Sequence, residues 1–144
     1  MDADAVRRRL DEALAIEEPG FGNFFILRFL GLDVSYDDDA EACIVRIPFD
    51  DHLRNPQGTL HGGIVATAAD ISMGHLCHRF LSTSVTLEMT IRFLSPITGP
   101  VRCEGRFLKK GRTAVNVESR VLGEDDKLHA IAQGTWFRLP EKSS

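Results

Sequence analysis

Asp70 is the only formally charged residue between Gly62 and Cys77, and it stands in the middle of an apolar run that reads as a helix. A carboxylate withdrawn from water must be paired, hydrogen-bonded or protonated, because uncompensated burial is costly. It lies too far along to cap the helix start. Such a residue serves either a network with Ser or Thr hydroxyls or proton-transfer and nucleophilic chemistry. Just upstream, Asn55-Pro56-Gln57-Gly58-Thr59-Leu60-His61-Gly62-Gly63 runs from a loop into that helix. There the first backbone N–H groups lack partners, the helix dipole is positive, and glycine admits a close approach to the main chain. The pairing offers a donor site for a developing oxyanion. The alternative is a tight turn that needs glycine only for its backbone angles; the lone carboxylate nearby tips the balance toward chemistry.

Distance then bears on assembly. Asp70 is eight residues beyond Gly62, which is about 12 Å along one helix. A reacting carbon must sit roughly 3 Å from both its attacker and its oxyanion donors. One helix cannot readily supply both, whereas two antiparallel copies can. The expectation is a homodimer with two composite sites, each subunit lending Asp70 to the other's Gly62; a dimer of dimers (a homotetramer) is equally compatible.

Other residues carry weaker signals. Lys109-Lys110-Gly111-Arg112 places three positive charges in one turn of an acidic chain, suited to phosphates or simply to solvent. His75-x-x-His78 has a spacing that metal ligands use, but no third ligand converges with it, so no metal centre is expected. Cys77 reads as a small buried apolar residue, and Phe21, Phe24, Phe25 and Phe29 as core or lid.

The elements that must position these residues follow from periodicity. Asp2 to Glu18 reads as an amphipathic helix stopped by Pro19-Gly20, and Phe21 to Leu30 as one or two further helical turns. Residues 32–37 and 41–47 read as strands around Asp37-Asp38-Asp39, and residues 50–60 as a loop. Residues 62–79 are apolar nearly all round, which predicts an enclosed helix. Four period-2 segments follow. In the first, Val85, Leu87, Met89, Ile91 and Phe93 form the apolar face and Thr86 lies on the other. The separators Pro96–Pro100, Lys109–Arg112 and Gly123–Asp126 are short, which predicts that these last strands are consecutive antiparallel neighbours. The fold class is α+β: an antiparallel six-stranded sheet wrapped around one central helix, with an N-terminal helical segment.

The bulk properties set bounds. With 144 residues, the expectation is one domain over 1–144, residues 1–20 being a helical extension. A net charge of -4 gives no basic field for nucleic acid or an anionic membrane surface. No apolar run approaches a membrane span, and no basic-then-apolar leader opens the chain. Cys43, Cys77 and Cys103 form no close pair, as in reduced cytoplasmic proteins.

Asn55-x-x-Gly58-x-x-His61-Gly62-Gly63, six residues, then Asp70, resembles the hotdog thioesterases of the phenylacetate-degradation and human thioesterase-superfamily-member-2 type. Thr86-Leu87-Glu88 and Phe93-Leu94-Ser95-Pro96 are similar to that family's strand after the central helix, and the likeness spans about residues 20–138. It implies hydrolysis of acyl-CoA thioesters. The Gly62 N–H, helped by Asn55, would polarise the carbonyl, and Asp70 would act as base or nucleophile. Thr86 would orient water, and His61 would shape the loop. It also implies that Lys109, Lys110, Gly111 or Arg112 meets the CoA phosphates, and that no cofactor is needed, CoA being part of the substrate. The competing readings are an acyl-thioester dehydratase or hydratase using His61 and Asp70, and a non-catalytic acyl-CoA-binding protein.

Overall fold

A computed structural model describes residues 1–140. The elements run α1 (Ala3–Leu14), α2 (Phe25–Phe29), β1 (Asp33–Asp37), β2 (Ala42–Ile47), a 3-10 turn (Asp51–Leu53), α3 (Gly62–Phe80), β3 (Ser84–Phe93), β4 (Val101–Lys110), β5 (Ala114–Gly123) and β6 (Leu128–Arg138). Asp2 caps α1 by accepting from the N–H groups of Asp4 and Ala5. The helix stops at Leu14, short of the expected Glu18, since Ile16, two adjacent carboxylates and Pro19 all weigh against further turns.

The six strands form one antiparallel sheet in the order β1-β2-β4-β5-β6-β3. This matches the expected six-stranded α+β architecture, with one correction. β4, β5 and β6 are consecutive neighbours, but β3 pairs with β6 and forms the far edge, not with β4 as the short Pro96–Pro100 separator suggested. The connector is tied elsewhere: the Ile97 carbonyl accepts from Leu60 N–H, joining it to the loop before α3.

α3 packs on one face of the sheet against β2 through β6. Val65, Ala68, Met73 and Leu76 of the helix meet the buried Val45, Cys103, Val117, Val121 and Trp136 of the strands. The approach is close at Gly105, where a Cβ would lie 2.4 Å from the Ser72 carbonyl oxygen. Ser72 itself is satisfied, donating to the Ala69 carbonyl and pairing with Ser119 at 2.8 Å between hydroxyl oxygens. Burial pushes the Cys43 and Cys103 thiols up to about 12 and Cys77 to about 11, so all three are inert apolar fillers.

Full enclosure of α3 is corrected as well. Gly63 is exposed and Gly62, Ala66, Thr67, Asp70 and Gly74 are only half-buried, so one stripe of the helix faces outward beside the edge strand β3. On β3 the expected apolar face is not buried: Val85 and Leu87 are 44% and 59% exposed.

Candidate active site

The loop before α3 is built by Asn55. Its Oδ1 accepts from the N–H groups of Gln57 and Thr59, and its Nδ2 donates to Thr59 Oγ1 at 2.8 Å. Gly58 closes the turn at φ +84, a left-handed angle that glycine takes without strain, and donates its N–H to the Asn55 carbonyl. Leu60 and His61 then anchor through their N–H groups to the Ile97 and Leu53 carbonyls.

His61 is the N-cap of α3, and its Nδ1 accepts from Gly63 N–H at 3.0 Å. A ring nitrogen that accepts carries no proton, so neutral His61 is the Nε2–H tautomer. The N–H groups of Ile64 and Val65 both reach the His61 carbonyl. That leaves Gly62: among the described residues its N–H has no acceptor. The vacant donor at the positive helix end is therefore one defined group.

Asp70 lies two turns further on, half-buried. Thr86 Oγ1 donates to its Oδ1 at 2.9 Å, while Oδ2 has no partner among the described residues. Sequence alternation placed Thr86 on the wrong face, and a bulge reverses this. Register slips by one residue between Thr86 and Glu88, leaving Leu87 unpaired. Thr86 then stands opposite buried Trp136, in phase with Met89, Ile91 and Phe93, while Val85 and Leu87 lose the core side. The Asp70–Thr86 pair and the Gly62 donor are not brought together. They sit about 12 Å apart along one helix.

The basic turn joins the opposite end of the sheet from Gly62. Gly62 adjoins Phe93 at the end of β3, where a Cβ on Gly62 would meet Phe93 Cζ at 3.2 Å. Thr86 opposes Trp136, Trp136 opposes Val115 and Val115 opposes Lys110. That row carries the basic turn to the Asp70–Thr86 side of the molecule, about 14 Å away across three strand spacings. A second bulge, between Phe107 and Lys109, sets Lys110 on the helix side of the sheet and Lys109 on the other. Lys110 pairs with Glu41 at 2.6 Å over the Phe107 ring, whereas Lys109 and Arg112 have no ion pair among the described residues. Gly111 is required by the turn, since a Cβ there would lie 2.1 Å from the Ala114 carbonyl oxygen.

The aromatic segment wraps the far end of α3. Phe21 stacks on His78 and meets His75 edge-on, and its carbonyl oxygen lies 2.6 Å from His75 Nε2. Burial holds His75 below its ordinary range, against the opposing pull of the Phe21 carbonyl. His78 Nδ1 pairs with Thr83, and no group of three metal-ligating side chains converges among the described residues. Phe24 and Phe29 pack on the core, while Phe21 and Phe25 are 38% and 42% exposed.

Two cavities matter. The larger, about 550 Å³, lies between Arg46, Pro100 and Arg102 and touches none of the residues above. A smaller one of about 380 Å³ is lined by Asn55, Thr59, Gly62, Phe93 and Leu94. In the sequence Phe93 and Leu94 stand out only as part of a family-like strand and Thr59 only as part of the loop, and none of the three is assigned to the site there. Only the Asn55-to-Thr59 spacing, which fits a side-chain turn, could have pointed to one of them.

A sequence model of the thioesterase superfamily matches residues 57–130. The chain belongs to the thioesterase superfamily. The matched span holds Gly62, Asp70, Thr86 and the basic turn; Asn55 precedes it. Among relatives of this superfamily member, a Saccharolobus solfataricus protein named as a candidate esterase is 37% identical over 135 residues, 92% of this chain and 96% of that one. A Bacillus halodurans protein solved with CoA superposes with a TM-score of 0.83 at 24% identity, over 96% of this chain and 94% of that one. The Escherichia coli protein of the phenylacetic acid degradation operon gives 0.77 at 19% identity, over 94% and 96%. At those identities the two structures speak for the fold, which is the hotdog fold. The resemblance read from the Asn…His-Gly-Gly…Asp spacing thus holds at the level of family and architecture. Among the described residues no helix is long and apolar enough to cross a membrane.

Proposed function

We propose that this thioesterase-superfamily member hydrolyses acyl-CoA thioesters in two composite sites of a homodimer. The observation that carries the reading is a division of labour on one helix. A carboxylate held by Thr86 with one oxygen open and a vacant Gly62 N–H lie too far apart to act on one carbonyl. The geometry that reunites them is a second copy, related by a two-fold axis, with its helix antiparallel to the first. The free side of edge strand β3, with exposed Val85 and Leu87, lies beside the open stripe of α3 and supports that contact.

In this arrangement the thioester oxygen rests on Gly62 N–H of one subunit, and Asn55 fixes the loop that holds the donor. Asp70 of the other subunit takes a proton from water as the water oxygen bonds to the carbonyl carbon. Negative charge moves onto the carbonyl oxygen, where Gly62 N–H and the helix dipole stabilise it. The tetrahedral adduct collapses, the C–S bond breaks, and CoA leaves as a thiolate that is then protonated. Thr86 holds the Asp70 rotamer, leaving Oδ2 for the water. Direct attack by Asp70 through a mixed anhydride is the variant path, and ¹⁸O from water found in the Asp70 side chain after a single turnover would establish it. Only the anhydride leaves label in the Asp70 side chain when water attacks its aspartyl carbonyl.

The basic turn suits the CoA phosphates; Lys110 is engaged with Glu41, whereas Lys109 and Arg112 have no ion pair among the described residues. The Bacillus halodurans structure with CoA supports a CoA ester as substrate. His61 is committed through Nδ1 to Gly63, which favours a positioning role over the proton transfer a hydratase would ask of it.

The test mixes subunits. Asp70→Asn and Gly62→Pro homodimers should each release almost no thiol from acyl-CoA. After exchange of subunits, heterodimers hold one intact site, and activity should recover to about a quarter of wild type. No recovery from subunits shown to have exchanged would sink the composite site.

A further inference from the structure

A thioester has two arms diverging from its carbonyl, and the chain offers two unlike surfaces for them. One is the basic turn, which shares a register row with Thr86 and so belongs to the subunit that supplies Asp70. The other is the 380 Å³ cavity beside Gly62, on the subunit that supplies the donor. The first is cationic. The second is walled mainly by Leu60, Val65, Phe93, Leu94 and Ile97, and no charged side chain lines it. The phosphate-bearing arm is drawn to the former, which leaves the cavity for the acyl arm.

We infer that Phe93 is a specificity-determining residue, closing an apolar pocket that takes short to medium, uncharged acyl groups on the subunit opposite the one binding CoA. This rests on the thioesterase reading above and adds to it the substrate class. With about 30 Å³ for a group the size of a water molecule, which is close to a methylene, the cavity of about 380 Å³ holds about a dozen carbons or a single aromatic ring, fewer than a palmitoyl chain carries. A carboxylate-bearing acyl group would enter without a partner charge, at a prohibitive desolvation cost. The Phe93 ring bounds this space, lying against Gly62 at 3.2 Å from where a Cβ would be. It is also 51% exposed, so trimming it opens the pocket without removing core.

The experiment measures kcat/KM for butyryl-, octanoyl-, palmitoyl- and succinyl-CoA with wild type, Phe93→Ala and Leu94→Trp. Wild type should favour butyryl and octanoyl esters and discriminate against palmitoyl and succinyl. Phe93→Ala should raise the palmitoyl-to-octanoyl ratio by about tenfold or more, and Leu94→Trp should move the preference toward butyryl. If both variants release thiol across the panel in wild-type proportions, the acyl arm lies elsewhere while the thioesterase reading stands. If wild type releases thiol from none of the four, that reading falls and the pocket assignment with it.

Discussion

Thr86 donates its hydroxyl hydrogen to Oδ1 of Asp70 at 2.9 Å, from the edge strand of the sheet to the middle of α3. The bond exists because the strand bulges at the next residue. Without the slip at Leu87, Thr86 would share the outward side of β3 and a valine would face the carboxylate. The bulge sets one hydroxyl against one oxygen of an acid whose other oxygen stays open. A bulge that re-aims a side chain beside a site is a recurrent device of sheets.

That pair should act as a unit. Thr86→Val, which keeps shape and loses the donor, should lower kcat about tenfold with a smaller change in KM, and Thr86→Ser should restore most of it. Asp70→Asn should cost about 10²–10⁴ in kcat. Steady-state kinetics on the double variant should show no further loss beyond Asp70→Asn. Multiplicative losses would mean that Thr86 acts on something other than this carboxylate.

Gly62→Pro removes the vacant N–H with little insult to the fold. Gly62 is the first residue of α3, where proline is favoured. His61 before it already lies at φ -64, ψ 130, the region that a following proline demands. The exposed Phe93 ring has room to yield. Circular dichroism and Tm should stay close to wild type while kcat falls about 10²–10³. A folded, fully active proline variant would remove Gly62 from the oxyanion role.

Gly105→Ala should behave in the opposite way. Its methyl would lie 2.4 Å from the Ser72 carbonyl, a backbone atom in the buried helix that cannot swing aside. Urea unfolding should show a loss of about 1–3 kcal/mol or more, the range for overpacked cores. Gly62→Ala, meeting only a movable ring at 3.2 Å, should unfold at or above the wild-type midpoint.

His75 gives stability a pH dependence. Burial lowers its folded-state value below the ordinary 6.5, so around and below that pH the unfolded chain binds the extra proton. Stability should therefore fall as pH drops through 6.5 toward the folded-state value, with no contribution from this group above it. Urea midpoints taken between about pH 7.5 and 5.5 should decline. In His75→Gln the decline should be shallower, and an unchanged slope would assign the acid sensitivity to other groups.

The primary sequence determined the parts that depend on short-range pattern. A lone acid at a fixed distance from a His-Gly-Gly helix start is legible because helical rise turns residue count into length. Period-2 runs are legible because pleating alternates faces. The family and the six-stranded α+β architecture followed from those signals. What only tertiary structure decided is everything set by register and order. Pairing of β3 with β6 put Thr86 on a free edge, and the bulge at Leu87 turned it to Asp70. The second bulge separated Lys110 from Lys109, and the pairing of Phe93 with Ala130 at the end of β3 set the Phe93 ring over Gly62. None of these is written in local spacing. A one-residue slip moves every later side chain to the other face at little local cost, and long-range packing chooses between the two.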